Sequence, residues 1–277
     1  MQSSPIFELG RVQYAIPASL VSLAVSSDTL AMGLTNHSVI TIINIELSRP
    51  EQVLKFTIPR KPSEMTIYKL FLDPSGRHLI VTSTQGENWY LFKGWKKFKQ
   101  LKNFKMVIET IAWNKAGLLS SSNSTSSREF LIGARNGTVY EALLDAEEDF
   151  FKSQERYVQP VFSLPERAPI TGLHFQFVPP LDPKQAIVVM TTSSRIYQLA
   201  GSVDKRSDDG NRVFAPLFAR YRDSTPSACR LLWSLFRSYI TRYQKFWSFL
   251  VIFDTLSCTS SRRMRTKRNR YQSRWPG

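Results

Sequence analysis

The first 219 residues contain no cysteine; Cys229 and Cys258 are the two in a chain of 277. That excludes a disulfide framework or a cysteine zinc site from most of the sequence. No run of 18 apolar residues occurs, and the nearest, FWSFLVIF at 246–253, is too short to span a bilayer. The start, MQSSPIFELGRVQYAIP, has no basic segment followed by an apolar one, so it does not read as a secretory signal. Histidine is scarce as well. His37 falls in an Asn-His-Ser turn, His78 follows a turn, and His174 alternates within a strand pattern. No G-x-S-x-G or comparable nucleophile motif accompanies them, and no His/Cys/Asp spacing fits zinc or calcium. The acidic run Asp145, Glu147, Glu148 and Asp149 reads as a solvated loop. A cradle for phosphate needs clustered glycines opening a helix, whereas Gly86 in TQGENWYLF stands alone before β-formers. The sequence therefore reads as having no enzyme site, no bound metal and no cofactor.

Charge is present but unevenly placed. Of the net +15, residues 220–277 hold +11 and residues 1–219 only +4. Basicity belongs to the tail, so it does not make the body a nucleic-acid binder.

The body repeats one unit. FLDPSGRHLIVTSTQGENWYL (71–91) gives strand, turn, strand, turn, strand, with Asp-Pro-Ser-Gly fitting a type I turn position by position. LVSLAVSSDTLAMGLTNHSVITIINI (20–45) does the same. IETIAW, EFLIGA and TVYEALL repeat it around Asn136-Gly137, the strongest hairpin signal in the chain. ITGLHFQFV, QAIVVMTTS and IYQLA (170–199) make the fourth copy. Aligned on Val21, Lys69, Thr110 and Thr171, the copies are 48, 41 and 61 residues apart. The longest spacing carries SSSNSTSSRE (120–129) and DAEEDFFKSQER (145–156). Four-stranded propeller blades run at about 40 to 50 residues. EQVLKFTI (51–58), KKFKQLKNF (96–104) and VQPVFSLP (158–165) supply the outer strands. The expected class is all-β: a β-propeller first, a sandwich or barrel second. Leu23, Phe71, Trp113 and Phe175 belong in or near the inner strands. The Gly-His and Trp-Asp signatures of WD40 blades are missing.

Tyr68–His78 with Gly86-Glu87-Asn88-Trp89-Tyr90 resembles the N-terminal propeller of the vacuolar protein sorting eighteen, or deep-orange, family. EFLIGARNGTVYEALL (129–144) and PITGLHFQFV (169–178) are similar to it in the same order. The resemblance covers roughly residues 10–222. It implies a core subunit of the class C tethering complexes, HOPS and CORVET. Such a subunit is cytoplasmic, peripheral on late endosome and vacuole or lysosome membranes, and acts in vesicle docking and fusion. Its partners would be other class C subunits, with Rab GTPases and SNAREs reached through the complex, and no nucleic acid. The family's α-solenoid and RING zinc domain have no counterpart here, so metal binding does not carry over.

Two segments suggest surface chemistry. KGWKKFKQLKNFK interleaves Lys93, Lys96, Lys97, Lys99, Lys102 and Lys105 with Trp95, Phe98 and Phe104. It is a candidate patch for an anionic membrane, a nucleic acid or an acidic protein, or else a lysine-guarded outer edge. From residue 223 the repeat stops. The tail (223–277) carries both cysteines, half of the tryptophans and RRMRTKRNR at 262–270. Leu232, Leu235, Tyr239, Tyr243, Phe246 and Leu250 recur at helical spacing, which suggests an amphipathic helix over 229–253, with disorder expected after 257. The alternative is a tail foreign to the family on a truncated propeller.

The expectation is then a non-catalytic scaffold: a partial propeller of about four blades over 10–222, followed by a basic tail. The competing function is a basic protein that binds membranes or nucleic acid through residues 93–105 and the tail. Seven blades need roughly 300 residues, so four give an open arc whose end blades expose apolar faces. Such a chain is expected to self-associate.

Overall fold

The computed structural model describes residues 14–26, 28–43, 45, 52–59, 66–115, 125–152, 157–178, 182–204, 213–222 and 228–230. Four four-stranded antiparallel sheets follow one another along the chain. The first contains β1 (Leu20–Ser26), β2 (Thr29–Leu34), β3 (Ser38–Ile43) and β4 (Gln52–Thr57). The second contains β5 (Ile67–Leu72), β6 (His78–Ser83), β7 (Asn88–Phe92) and β8 (Lys99–Gln100). The third contains β9 (Ile108–Ala112), β10 (Phe130–Ala134), β11 (Thr138–Ala142) and β12 (Val158–Ser163). The fourth contains β13 (Gly172–Val178), β14 (Asp182–Thr191), β15 (Arg195–Ser202) and β16 (Ala228–Arg230). Each sheet pairs its strands in chain order, the meander of a propeller blade. Consecutive inner strands pack in series, β1 on β5, β5 on β9 and β9 on β13, so the blades form an arc.

Middle strands are covered on both faces, which is why they read as unbroken apolar runs. LIV in β6 alternates between neighbours: Leu79 and Val81 pack with Ala31, Val39 and Phe56 of the first blade, and Ile80 packs with Phe130 and Ile132 of the third. The fourth blade turns Phe175, Val188, Met190 and Leu199 onto Leu131, Val139 and Phe162 of the third. The same cluster takes in Phe214, Leu217 and Phe218 from in and beside the short helix α2 (Ala215–Ala219). The buried Glu141 carboxylate accepts the N–H groups of Val213 and Phe214, tying that segment to β11.

The turns between second and third strands of the first three blades share one geometry. In each, the fourth residue donates its N–H to the first carbonyl: His37 to Leu34, Gly86 to Ser83 and Gly137 to Ala134. All three lie at positive φ, 60°, 84° and 77°. Asn136-Gly137 is thus a type I turn with glycine in the fourth place, because Asn136 itself does not take positive φ. His37 holds the left-handed position that glycine holds in the next two blades, which settles its place as a turn residue.

Three features depart from the sequence reading. The outer strand expected over 96–104 shrinks to Lys99–Gln100, since Phe98, Leu101 and Phe104 turn inward as anchors. Cys229 and Arg230, where a tail helix is expected to start, are in strand β16; the rest of that helix and the segment after 257 lie outside the described residues. Among the described residues, large exposed apolar side chains of the blades lie at one end of the arc. The first blade exposes Leu20, Leu23, Val25 and Val53, whereas no large hydrophobic side chain of the fourth blade is exposed among the described residues. Register explains the difference. The fourth blade's far face sets His174, Gln176 and Gln198 among Ile187, Val189 and Ile196. The first blade's far face is Leu23, Val25, Leu30, Met32, Ile40, Ile42 and Val53, with Lys55 as its one charge.

Candidate interaction surface

Several buried polar side chains are committed to holding turns and blade junctions. Asp73 is buried, and its carboxylate accepts the N–H groups of Ser75, Arg77 and His78 at 3.0, 2.7 and 2.7 Å and the Ser75 hydroxyl. His78 Nδ1 lies 2.8 Å from the Tyr90 hydroxyl inside the core, and burial lowers the imidazole pKa. Asn88, the last residue of QGEN, donates its buried amide to the carbonyls of Gly86, Phe104 and Met106. The QGEN segment is therefore a turn with a structural asparagine, not a phosphate loop. Among the described residues, no three His, Cys, Asp or Glu side chains gather as around a metal ion, and no helix is long and apolar enough to cross a membrane.

Every blade junction has a polar clasp beside its apolar packing. Between the first and second blades, Leu70 N–H donates to Ser22 Oγ at 3.0 Å and Lys93 faces Asp28 at 3.7 Å. Between the third and fourth, the Tyr197 hydroxyl donates to Glu166, which also faces Arg195 at 3.6 Å. The richest clasp joins the second and third. Buried Glu109 on β9 accepts Tyr68 Oη at 2.8 Å, Lys69 Nζ at 2.8 Å and Arg135 Nε at 2.8 Å, and Arg135 lies 4.6 Å above the Tyr68 ring. Burial pushes the Glu109 carboxyl up, but the hydrogen bonds from Lys69, Arg135 and Tyr68 prevail and hold it below the usual carboxylate range.

A depressed carboxylate stabilises the fold above its unfolded pKa, about 4.3, and that stability is lost as pH falls through the folded value. Glu109→Gln is expected to cost roughly 2 kcal/mol at neutral pH, discounted because Lys69 and Arg135 are partly exposed. Thermal melts should place the variant several degrees below wild type at pH 7, with the gap closing near pH 3. An equal gap at both pH values would contradict the ionic clasp.

The candidate patch sits on the outer edge of the second blade. Lys96, Lys97, Lys102 and Lys105 are exposed, and Lys93 carries the ion pair to Asp28. Lys99 lies 4.3 Å over the Trp95 ring and 4.4 Å over Phe151. Trp95 is half-buried among Tyr90, Phe92 and Phe151. Phe98 and Phe104 are 5% and 1% exposed, so the interleaved aromatics face the core and only the lysines face out. The reading of the acidic run as a solvated loop missed one contributor. Phe150 and Phe151, in and beside the acidic segment read as a solvated loop, dock the helix α1 (Glu148–Lys152) against Tyr90 and Trp95.

The family model described as the Pep3/Vps18/deep orange beta-propeller domain matches residues 5–255. The chain belongs to that family. The Pep3/Vps18/deep orange match runs past residue 222, where the motif resemblance stops. The vacuolar protein sorting-associated protein 18 homolog of Danio rerio is 30% identical over 232 residues, 82% of this chain and 22% of the relative. The vacuolar membrane protein pep3 of Schizosaccharomyces pombe is 31% identical over 162 residues, 58% of this chain and 17% of that one. The chain spans about a fifth of the length of these relatives. Among solved structures, the Myceliophteria thermophila Cps50 (Swd1) beta-propeller domain is 13% identical, covers 69% of this chain and 60% of its own, and has a TM-score of 0.47.

Proposed function

We propose that this propeller arc is a non-catalytic scaffold of a vacuolar protein sorting subunit, presenting blade surfaces to the other class C subunits of a membrane-tethering complex. In this reading it acts in vesicle docking and fusion, peripherally on the late endosome or vacuole membrane, with Rab GTPases and SNAREs engaged through the assembled complex. The observation that carries it is the family match over residues 5–255, in a body whose Asp73, Asn88 and Glu109 side chains are engaged in turns and blade junctions. The test is reconstitution. The purified chain is immobilised and offered each recombinant class C subunit in turn, with binding read by interferometry. Saturable capture of at least one, lost on unfolding the propeller, is the expected result; capture of none sinks the proposal.

A further inference from the structure

We propose that the outer edge of the second blade is a contact for anionic lipid headgroups at a membrane surface, made by Lys96, Lys97, Lys102 and Lys105. The stretch from Asn88 to Ile108 holds six lysines, no arginine and no acid. Two of the six are occupied, Lys93 by Asp28 and Lys99 by the rings of Trp95 and Phe151. The other four are exposed and make no hydrogen bond or ion pair among the described residues.

Guarding a sheet edge accounts for little of this. Only Lys99 and Gln100 are in strand, whereas Lys96 and Lys97 precede it and Lys102 and Lys105 follow it. The backbone that displays them is pinned from beneath. Phe98, Leu101, Phe104 and Met106 are buried, Leu101 N–H donates to Asn88 O at 2.9 Å, and the Asn88 amide holds the carbonyls of Phe104 and Met106. The lysine stems thus leave a fixed loop, so little backbone order is lost when they meet a surface.

The residue types select the partner. A protein interface favours arginine and aromatics and is poor in lysine, and arginine is what forks onto a carboxylate. A single-stranded nucleic acid needs free aromatic faces for stacking, but Phe98 and Phe104 are in the core and Trp95 is covered by Lys99. Compact, hydrated lysine charges suit the diffuse field of an anionic leaflet, where each contributes about a fivefold factor in binding. The contact is weak alone and gains strength when other membrane contacts act alongside it. It stands independently of the tethering proposal, and vesicles alone test it.

The full chain is floated with phosphatidylcholine vesicles, with and without phosphatidylserine. The background replaces the six basic residues between Arg262 and Arg270 by glutamine, so that the tail does not mask the edge. Flotation separates vesicle-bound protein from any that merely aggregates. In that background, K96Q/K97Q/K102Q/K105Q is expected to bind phosphatidylserine vesicles more than tenfold more weakly, with an unchanged thermal melt. The corresponding four Lys→Arg changes should retain binding, and added salt should narrow the difference. The proposal is overturned if the glutamine set binds as well as its parent, or if neutral vesicles are bound equally. It is likewise overturned if the lysines' loss removes binding of free inositol phosphate, an acidic peptide or RNA while vesicle binding persists.

Discussion

Replacing Leu23 and Val25 with lysine is expected to convert the 277-residue chain from a self-associating species into a monomer. The two side chains are 53% and 59% exposed on the far face of the first blade. Cross-strand register puts exposed Val53 and half-buried Leu30 on the same face, whereas Met32, Ile40 and Ile42 at its centre are already buried. Tyr14 and Ala18 lie against part of it, and Leu20 and Ile16 add to the exposed rim. Burying one Leu or Val side chain contributes about 1.5 to 3 kcal/mol, so pairing two such faces offers several kcal/mol with little polar cost. A lysine on this exposed edge strand must be desolvated on pairing, which reverses the sign. Both positions are exposed, so the melting temperature should hold while the oligomer dissolves. Sedimentation across a concentration series decides it: a wild-type chain that stays monomeric throughout removes the premise.

The second large effect is expected at Asp73→Ala. Its carboxylate satisfies three N–H groups and a hydroxyl within six residues, and its own N–H donates to His78 O at 3.0 Å to close the turn. Alanine leaves those donors in a largely buried turn, at about 1 to 3 kcal/mol for each that water cannot reach. Water will reach some, so the net cost is roughly 3 to 4 kcal/mol, or about 10 °C in melting temperature for a domain this size. Asp73→Asn keeps one acceptor oxygen and loses the charge, and should fall between. If alanine melts within about 2 °C of wild type, the carboxylate is not what holds this turn.

That turn was readable in advance. Asp-Pro-Ser-Gly specifies its own geometry through neighbours, and Gly76 donates to Asp73 O at 2.9 Å with φ +70° as a type I turn with glycine in fourth place demands. The blade count was readable for the same reason: period-two runs and turn residues are local. What escaped was set by partners far along the chain. Glu109 reads as one polar residue in a strand, and only packing β5 beside β9 brings Tyr68 and Lys69 to it across 41 and 40 residues. Asn88 reads as turn punctuation, yet its amide reaches Met106, 18 residues on. Phe150-Phe151 within an acidic run was the available sign that the segment docks, since two adjacent phenylalanines seldom face water together. The far face of the fourth blade was legible but unread, as the alternation His174, Gln176 states its polarity outright.

The serial packing of inner strands has a consequence for how order spreads through this chain. Strands pair with sequence neighbours and blades pack on consecutive blades, so contact order within a blade is low and coupling between blades is nearest-neighbour. Such a system behaves as a short one-dimensional lattice. Ordering can begin at an interface whose two units reinforce each other, as the second and third blades do with their shared aromatic cluster and the Glu109 clasp. It then propagates outward one interface at a time. The first and fourth blades each have a sheet on one face only, so local unfolding of either breaks a single coupling, and order is lost from the ends of the arc inward.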